Sequence, residues 1–227
     1  MPTVARRPIA VLFDLDGTLV DTIQLLLESV RHAFRDRVAG GGRAPTEAEW
    51  VAGIGTPLVT QLGPFCSGDE ELAGLVAGYR AYQGEHHDRL TRCYDRAVEV
   101  VATLKRRGHP TGVVTSKSDA IARRTLAYVG LLGAMDVVVG CDATTYHKPD
   151  PEPVRFALER LGCPAGEAVF VGDSPHDIHA GNAAGVVTVA ALWGPFDRAT
   201  LEAAGPTYVL SEIAELPGLI EELRERA

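Results

Sequence analysis

The chain has 227 residues, 46% of them hydrophobic, and a formal charge of −8. That length supports one sizeable core, or a core with a smaller companion domain. The acidic balance argues against gripping nucleic acid by phosphate neutralisation, and four scattered cysteines with no CxxC pair argue for reduced thiols, against a zinc site or disulfide framework.

Arg6 and Arg7 precede Pro8-Ile9-Ala10-Val11-Leu12-Phe13, an apolar run that reads as a buried strand. It is too short for a secretory h-region or a membrane span, so a soluble, cytoplasmic protein with no membrane partner is expected. The run ends in Asp14-Leu15-Asp16-Gly17-Thr18-Leu19. Asp and Gly are ordinary turn residues. Yet two carboxylates two positions apart, where a strand exits and a glycine turns the chain, sit where α/β sheets bind their ligands.

A helix is expected from Thr22, with Leu26, Val30, Ala33 and Phe34 on one face, Asp21 or Thr22 capping it, and Gly40-Gly41-Gly42 ending it. Residues 46–88 read as further helices, broken at Gly53-Ile54-Gly55-Thr56-Pro57 and Gly63-Pro64. From residue 94 the pattern alternates: helix Asp95–Arg107, strand Thr111–Thr115, helix Ser118–Val129, strand Asp136–Val139, helix Pro151–Leu161, strand Ala168–Val171, helix His176–Ala184, and Val186–Ala190 as the last clear strand. Such alternation implies right-handed crossovers and a mostly parallel, doubly wound, Rossmann-like α/β sheet. The expected organisation is a core from residues 1–19 and 90–227, with a helical cap, 20–89, inserted after the first strand.

Three further segments lie where core strands end or helices begin. They are Thr115-Ser116-Lys117, Lys148 within His147-Lys148-Pro149-Asp150-Pro151, and Gly172-Asp173-Ser174-Pro175-His176-Asp177. Asp14 and Asp173 offer the hard oxygen ligands that Mg²⁺ prefers. Thr115 offers a hydroxyl donor, and Lys148 a compact positive charge on a backbone stiffened by Pro149 and Pro151. Asp177 also suits the first turn of a helix. His176 and His179 have no known metal spacing and read as solvated, as does His86-His87-Asp88. Lys117 reads equally as solvated or functional. Gly53–Leu58 reads as a substrate-facing loop or a plain helix break.

In combination these motifs resemble the haloacid dehalogenase superfamily, in its phosphatase branch. The resemblance implies a Mg²⁺-dependent phosphatase with Asp14 as nucleophile, forming an aspartyl-phosphate, and Asp16 as general acid and base. It implies phosphoryl contacts from Thr115, Ser116 (through its backbone N–H) and Lys148. It implies metal ligation by Asp14, Asp173, the Asp16 carbonyl and Asp177. Tyr79-Arg80, His87-Asp88, Lys148-Pro149-Asp150-Pro151-Glu152-Pro153, Trp193, Leu201-Glu202 and Pro206 are similar to phosphoglycolate phosphatases, and closer still to their inorganic-pyrophosphatase relatives. The implied partner is a small phosphorylated metabolite or pyrophosphate, and the implied assembly a monomer or small homo-oligomer. A dehalogenase is disfavoured by Asp16. A β-phosphoglucomutase-like enzyme is disfavoured by Thr18 and by a cap without lysine, Lys105 being the first in the chain, although a histidine such as His32 would serve in its place. A non-catalytic regulatory protein is disfavoured by the intact motifs.

Overall fold

The computed structural model describes residues 8–226; Arg6, Arg7 and the outermost ends of the expected core span lie outside the described residues. Strand β1 (Ala10–Phe13) is followed by β2 (Val20–Asp21) and five helices: α1 (Ile23–Ala33), α2 (Arg35–Ala39), α3 (Glu47–Ala52), α4 (Leu58–Leu62) and α5 (Asp69–His86). Strand β3 (Arg92–Cys93) brings the chain back. Then come α6 (Ala97–Arg106), β4 (Thr111–Val114), α7 (Asp119–Tyr128), β5 (Val137–Val139), α8 (Glu152–Leu161), β6 (Ala168–Gly172), α9 (Pro175–Ala184) and β7 (Val187–Ala191). The chain ends with α10 (Arg198–Ala203), β8 (Tyr208–Leu210) and α11 (Leu216–Arg226).

Six parallel strands form one sheet in the order β5-β4-β1-β6-β7-β8. Strand β1 lies inside it, and its four side chains are all buried. The period of two splits them. Val11 and Phe13 enter one core with Val113, Val171, Val101 and Ile220, while Ala10 and Leu12 enter another with Phe170, Val154 and Ala180. A parallel strand covered on both faces must be apolar on both, and this one reads as a continuous hydrophobic run for that reason.

The last strand is β8, not β7 as the sequence suggested. Tyr208-Val209-Leu210 is too short to show a period, and it is identified by pairing with Val189–Ala191. The expected first helix is two, α1 and α2, meeting at Phe34, with Gly40 at the end of the second. Thr22 occupies the N-cap position of α1, but its side chain does not cap the helix. Its hydroxyl is drawn to a carboxylate instead, as described below.

Helices α1, α3, α4 and α5 build a separate apolar cluster around Leu26, Phe34, Trp50, Leu62 and Tyr79. The helical stretch leaves and rejoins the sheet through an antiparallel ribbon, with Val20 opposite Cys93 and Asp21 opposite Arg92. His87, expected to be solvated, is buried there. Its ring contacts Asp88 at 2.7 Å and the Thr125 hydroxyl of α7 at 2.9 Å, which ties the end of α5 to the sheet layer. Among the described residues no helix is long and apolar enough to cross a membrane.

Candidate active site

The loop after β1 is shaped by glycine. Gly17 adopts φ +85°, and a Cβ there would overlap the Asp173 carboxylate. Only a residue without a side chain turns the chain this close to a buried acid. The turn places Asp14 and Asp16 at the carboxyl edge of the sheet, and the Asp14 N–H donates to the Val171 carbonyl of the neighbouring strand (2.8 Å). Because β1 and β6 are adjacent, Asp14 and Asp173 meet although far apart in sequence.

Asp14, Asp173 and Asp177 are buried and present carboxylate oxygens within 4.8 Å of one another. Lys148 is the cation among them. Its Nζ donates to Asp14 Oδ1 at 2.8 Å and Asp177 Oδ1 at 2.6 Å, while its side chain is only 2% exposed. Burial alone would lower this ammonium's proton affinity. The two carboxylates outweigh that and hold it above its usual range. Asp177 also closes a capping box with Ser174 at the start of α9, so both its oxygens have donors.

Asp173 is different. Thr18 donates to its Oδ1 at 2.7 Å, but Oδ2 is buried without a donor. Burial, and then the charges of Asp14 and Asp177, push its carboxyl well above the carboxylate range. Asp14 is pushed up to about 7, chiefly by burial and only partly offset by Lys148. Three buried carboxylates against one ammonium leave a charge deficit, and one oxygen has no partner. That is the donor set a hard divalent cation requires. The residues therefore fit a Mg²⁺-type ion.

Asp16 stands beside this cluster. Its Oδ1 accepts from the Lys117 ammonium and from the Thr22 hydroxyl. Lys117 is thus a buried partner of a predicted site residue, its side chain 9% exposed. Nothing in a Thr-Ser-Lys tripeptide distinguishes this from a solvated lysine. Thr115 is buried at the end of β4, and its Oγ1 accepts from the Lys117 N–H at 3.2 Å. Ser116 donates its hydroxyl to the Gly55 carbonyl, a contact to the helical region that its sequence did not suggest.

The turn between α3 and α4 docks onto this edge. Gly55 has φ +102°, and a Cβ there would stand 2.7 Å from Ser174 Oγ. His176, expected to be solvated, is half-buried against this turn and engages the Ala52 backbone; burial pushes its pKa down. His179 is exposed. Between the turn, α5 and the sheet edge lies a cavity of about 110 Å³ that reaches Asp14, Asp16, Thr115 and Lys117. It is small beside the ~300–1,000 Å³ of drug-sized ligand pockets. Tyr79, Arg80 and Gln83 line it from α5. His32 stacks on Tyr82 at 4.8 Å and is absent from the lining. Trp193 donates its indole N–H to the Thr18 carbonyl (2.8 Å), holding the loop after β1 from the far side.

Residues 11–191 match the sequence model of a family described as haloacid dehalogenase-like hydrolase. The chain is 36% identical over 211 residues to pyrophosphatase PpaX of Bacillus velezensis, covering 93% of this chain and 95% of that protein. It is 33% identical over 213 residues to pyrophosphatase PpaX of Bacillus cereus, covering 94% and 96%. Among solved structures it is similar to a predicted phosphoglycolate phosphatase from Haemophilus somnus, with TM-score 0.83, 23% identity, and coverage of 93% and 97%. That last likeness concerns the fold.

Proposed function

Since the chain belongs to the haloacid dehalogenase-like hydrolases and is an enzyme of phosphoester or phosphoanhydride hydrolysis, we propose that it is a Mg²⁺-dependent phosphatase acting through an aspartyl-phosphate on pyrophosphate or a small monoester resembling 2-phosphoglycolate. The observation that carries this reading is the buried acidic cluster with its single lysine and unpartnered Asp173 oxygen. The names of the curated relatives favour pyrophosphate, and the small cavity supports a compact substrate.

Asp14, Asp173 and the Asp16 carbonyl would hold the ion, with Asp177 beside them. When bound, the ion supplies positive charge that offsets repulsion between an anionic nucleophile and an anionic phosphoryl group. Asp14 then forms a bond from a carboxylate oxygen to phosphorus as the bond to the leaving oxygen breaks. Asp16 delivers a proton to that oxygen, and later takes one from the water that splits the acyl phosphate. Lys148 orients Asp14 and, with the Thr115 hydroxyl and Ser116 N–H, draws charge from the phosphoryl oxygens. Residues 20–89 act as a cap, and the Gly55 turn seated on Ser116 excludes water. The four free thiols accord with a cytoplasmic setting.

The test is phosphate release from pyrophosphate, 2-phosphoglycolate, sugar phosphates and an aryl phosphate, with Mg²⁺ and with EDTA. Release that disappears with EDTA is expected. Metal-independent halide release, or no turnover of any phosphate, would overturn the reading.

A further inference from the structure

The helical side of the cavity carries several hydrogen-bond donors without acceptors, and one buried acceptor without a donor, Gln61 Oε1. Between β2 and β3, Arg31, Arg35, Arg37, Arg43 and Arg89 each reach a carboxylate. Arg80 is the exception: among the described residues no acid pairs with it, and it lines the cavity. Gln83, three positions on and therefore a neighbour on the helix surface, is 7% exposed. It lines the same cavity, and among the described residues its amide has no hydrogen-bond partner. Tyr79 is also buried at the lining, and its hydroxyl likewise has no partner among the described residues. Trp50, packed 5.7 Å from Tyr79, keeps a buried indole N–H without an acceptor.

Of these donors the Trp50 indole N–H is fully buried without a partner, where buried polar groups in folded proteins are nearly always paired; Arg80, Gln83 and Tyr79 open onto the cavity. Unpaired donors gathered around one cavity therefore define the chemistry of what enters it: a group rich in acceptor oxygens, with negative charge for the guanidinium. On the phosphatase reading, the core side of the cavity, with Asp14, Asp16, Thr115 and Lys117, provides for the phosphoryl group. The donors of α3 and α5 face whatever the phosphoryl group is attached to.

We propose that Arg80, Gln83 and Tyr79 form a second anion subsite, which selects small substrates carrying a phosphoryl group and another oxyanion, either carboxylate or phosphoryl. The inference rests on the phosphatase reading and adds to it the residues that choose the leaving group. Arg80 supplies charge, while the amide and phenol supply direction. Neighbouring Arg–carboxylate pairs elsewhere on the helices show that an arginine placed here without an acid departs from the local pattern.

The test is calorimetric titration of the full chain, with Mg²⁺ present, using three inert ligands. Imidodiphosphate carries two phosphoryl groups, 3-phosphonopropionate a phosphoryl analogue plus a carboxylate, and propylphosphonate no second anion. The wild type should bind one of the first two about tenfold or more tighter than propylphosphonate, the scale of a charge-assisted hydrogen bond. Which of the two is preferred identifies the second anion. Arg80→Ala should erase that preference, Arg80→Lys should retain part of it, and Gln83→Leu should reduce it. Arg31→Ala, at a surface ion pair outside the cavity, should leave it unchanged. Because Arg80 is exposed, its truncation should not unfold the chain, and thermal unfolding checks this. A preference that survives Arg80→Ala, or a wild type with no preference, overturns the subsite. Turnover is assayed separately, so failure to hydrolyse any phosphate would sink the phosphatase reading while the titrations still decide the subsite.

Discussion

Replacing Asp14 by asparagine should abolish turnover and, in the metal-free protein, raise stability. Asp14 is 4% exposed, and its carboxyl is pushed from an ordinary 3.8 to about 7. A carboxyl whose proton affinity is raised by folding holds its proton in the native state at pH values where the unfolded chain has lost it. Stability is therefore full below about pH 4 and falls as pH rises through 7. Each tenfold change in proton affinity corresponds to about 1.4 kcal/mol, so near neutral pH the folded state forfeits roughly 4 kcal/mol at this position. The amide removes that loss but also removes an ion-pair partner of Lys148. Halving the figure for this leaves a gain of ~2 kcal/mol, or a rise in Tm of about 4–8 °C for a chain of this size. The assay is thermal unfolding of both proteins in EDTA at pH 7.5 and pH 5. The advantage of the variant should shrink at pH 5, where Asp14 is already protonated in the native wild type. Saturating Mg²⁺ should close or reverse it, because the wild type holds the better ligand set. An Asp14→Asn variant no more stable than wild type at pH 7.5 without metal, or an advantage that ignores pH, would refute the charge-deficit account. Turnover by that variant near the wild-type rate would remove Asp14 as nucleophile.

Asp16→Ala should slow turnover by roughly 10²–10⁴-fold, more for alkyl than for aryl phosphates, because poor leaving groups need the proton most; equal losses in a leaving-group series would contradict the acid role. Gly17→Ala should strain the backbone by ~1–3 kcal/mol and drive a methyl group into Asp173, which Thr18 pins from one side. A lowered Tm together with weakened Mg²⁺ binding is expected, and normal metal affinity by titration would count against Asp173 as a ligand. Gly55→Ala places a Cβ 2.7 Å from Ser174 Oγ at φ +102°. The turn should lift from Ser116, lowering kcat/KM by about tenfold with little change in Tm, since lifting relieves the strain; unchanged kinetics would show that turn docking is not needed.

Much of the architecture is legible along the chain because parallel strands covered on both faces must be apolar throughout, and the helices between them must be amphipathic. Ala10–Phe13 and Ala168–Gly172 follow that rule, and Thr111–Val114 departs from it only at Thr111, whose buried hydroxyl donates to the Ala134 carbonyl. The rule weakens at the edge, where three-residue β8 is too short to display it. It also fails for side chains whose partners lie elsewhere in the sequence. Thr22 looks like a helix cap but gives its hydroxyl to Asp16, and His87 looks like a solvated linker but is held by Thr125.

The amino-acid order alone specified which acids, which hydroxyl and which lysine stand at the ends of strands, since those positions follow from local hydrophobic runs and turn chemistry. Only the folded chain decided their company: Lys117 with Asp16, Gly55 over Ser116, Asp173 with one oxygen unmatched, and Arg80 without an acid. The physical reason is that backbone preferences act over a few neighbouring residues, whereas pairing, burial and charge balance depend on distances that exist only after the sheet has brought remote strands side by side.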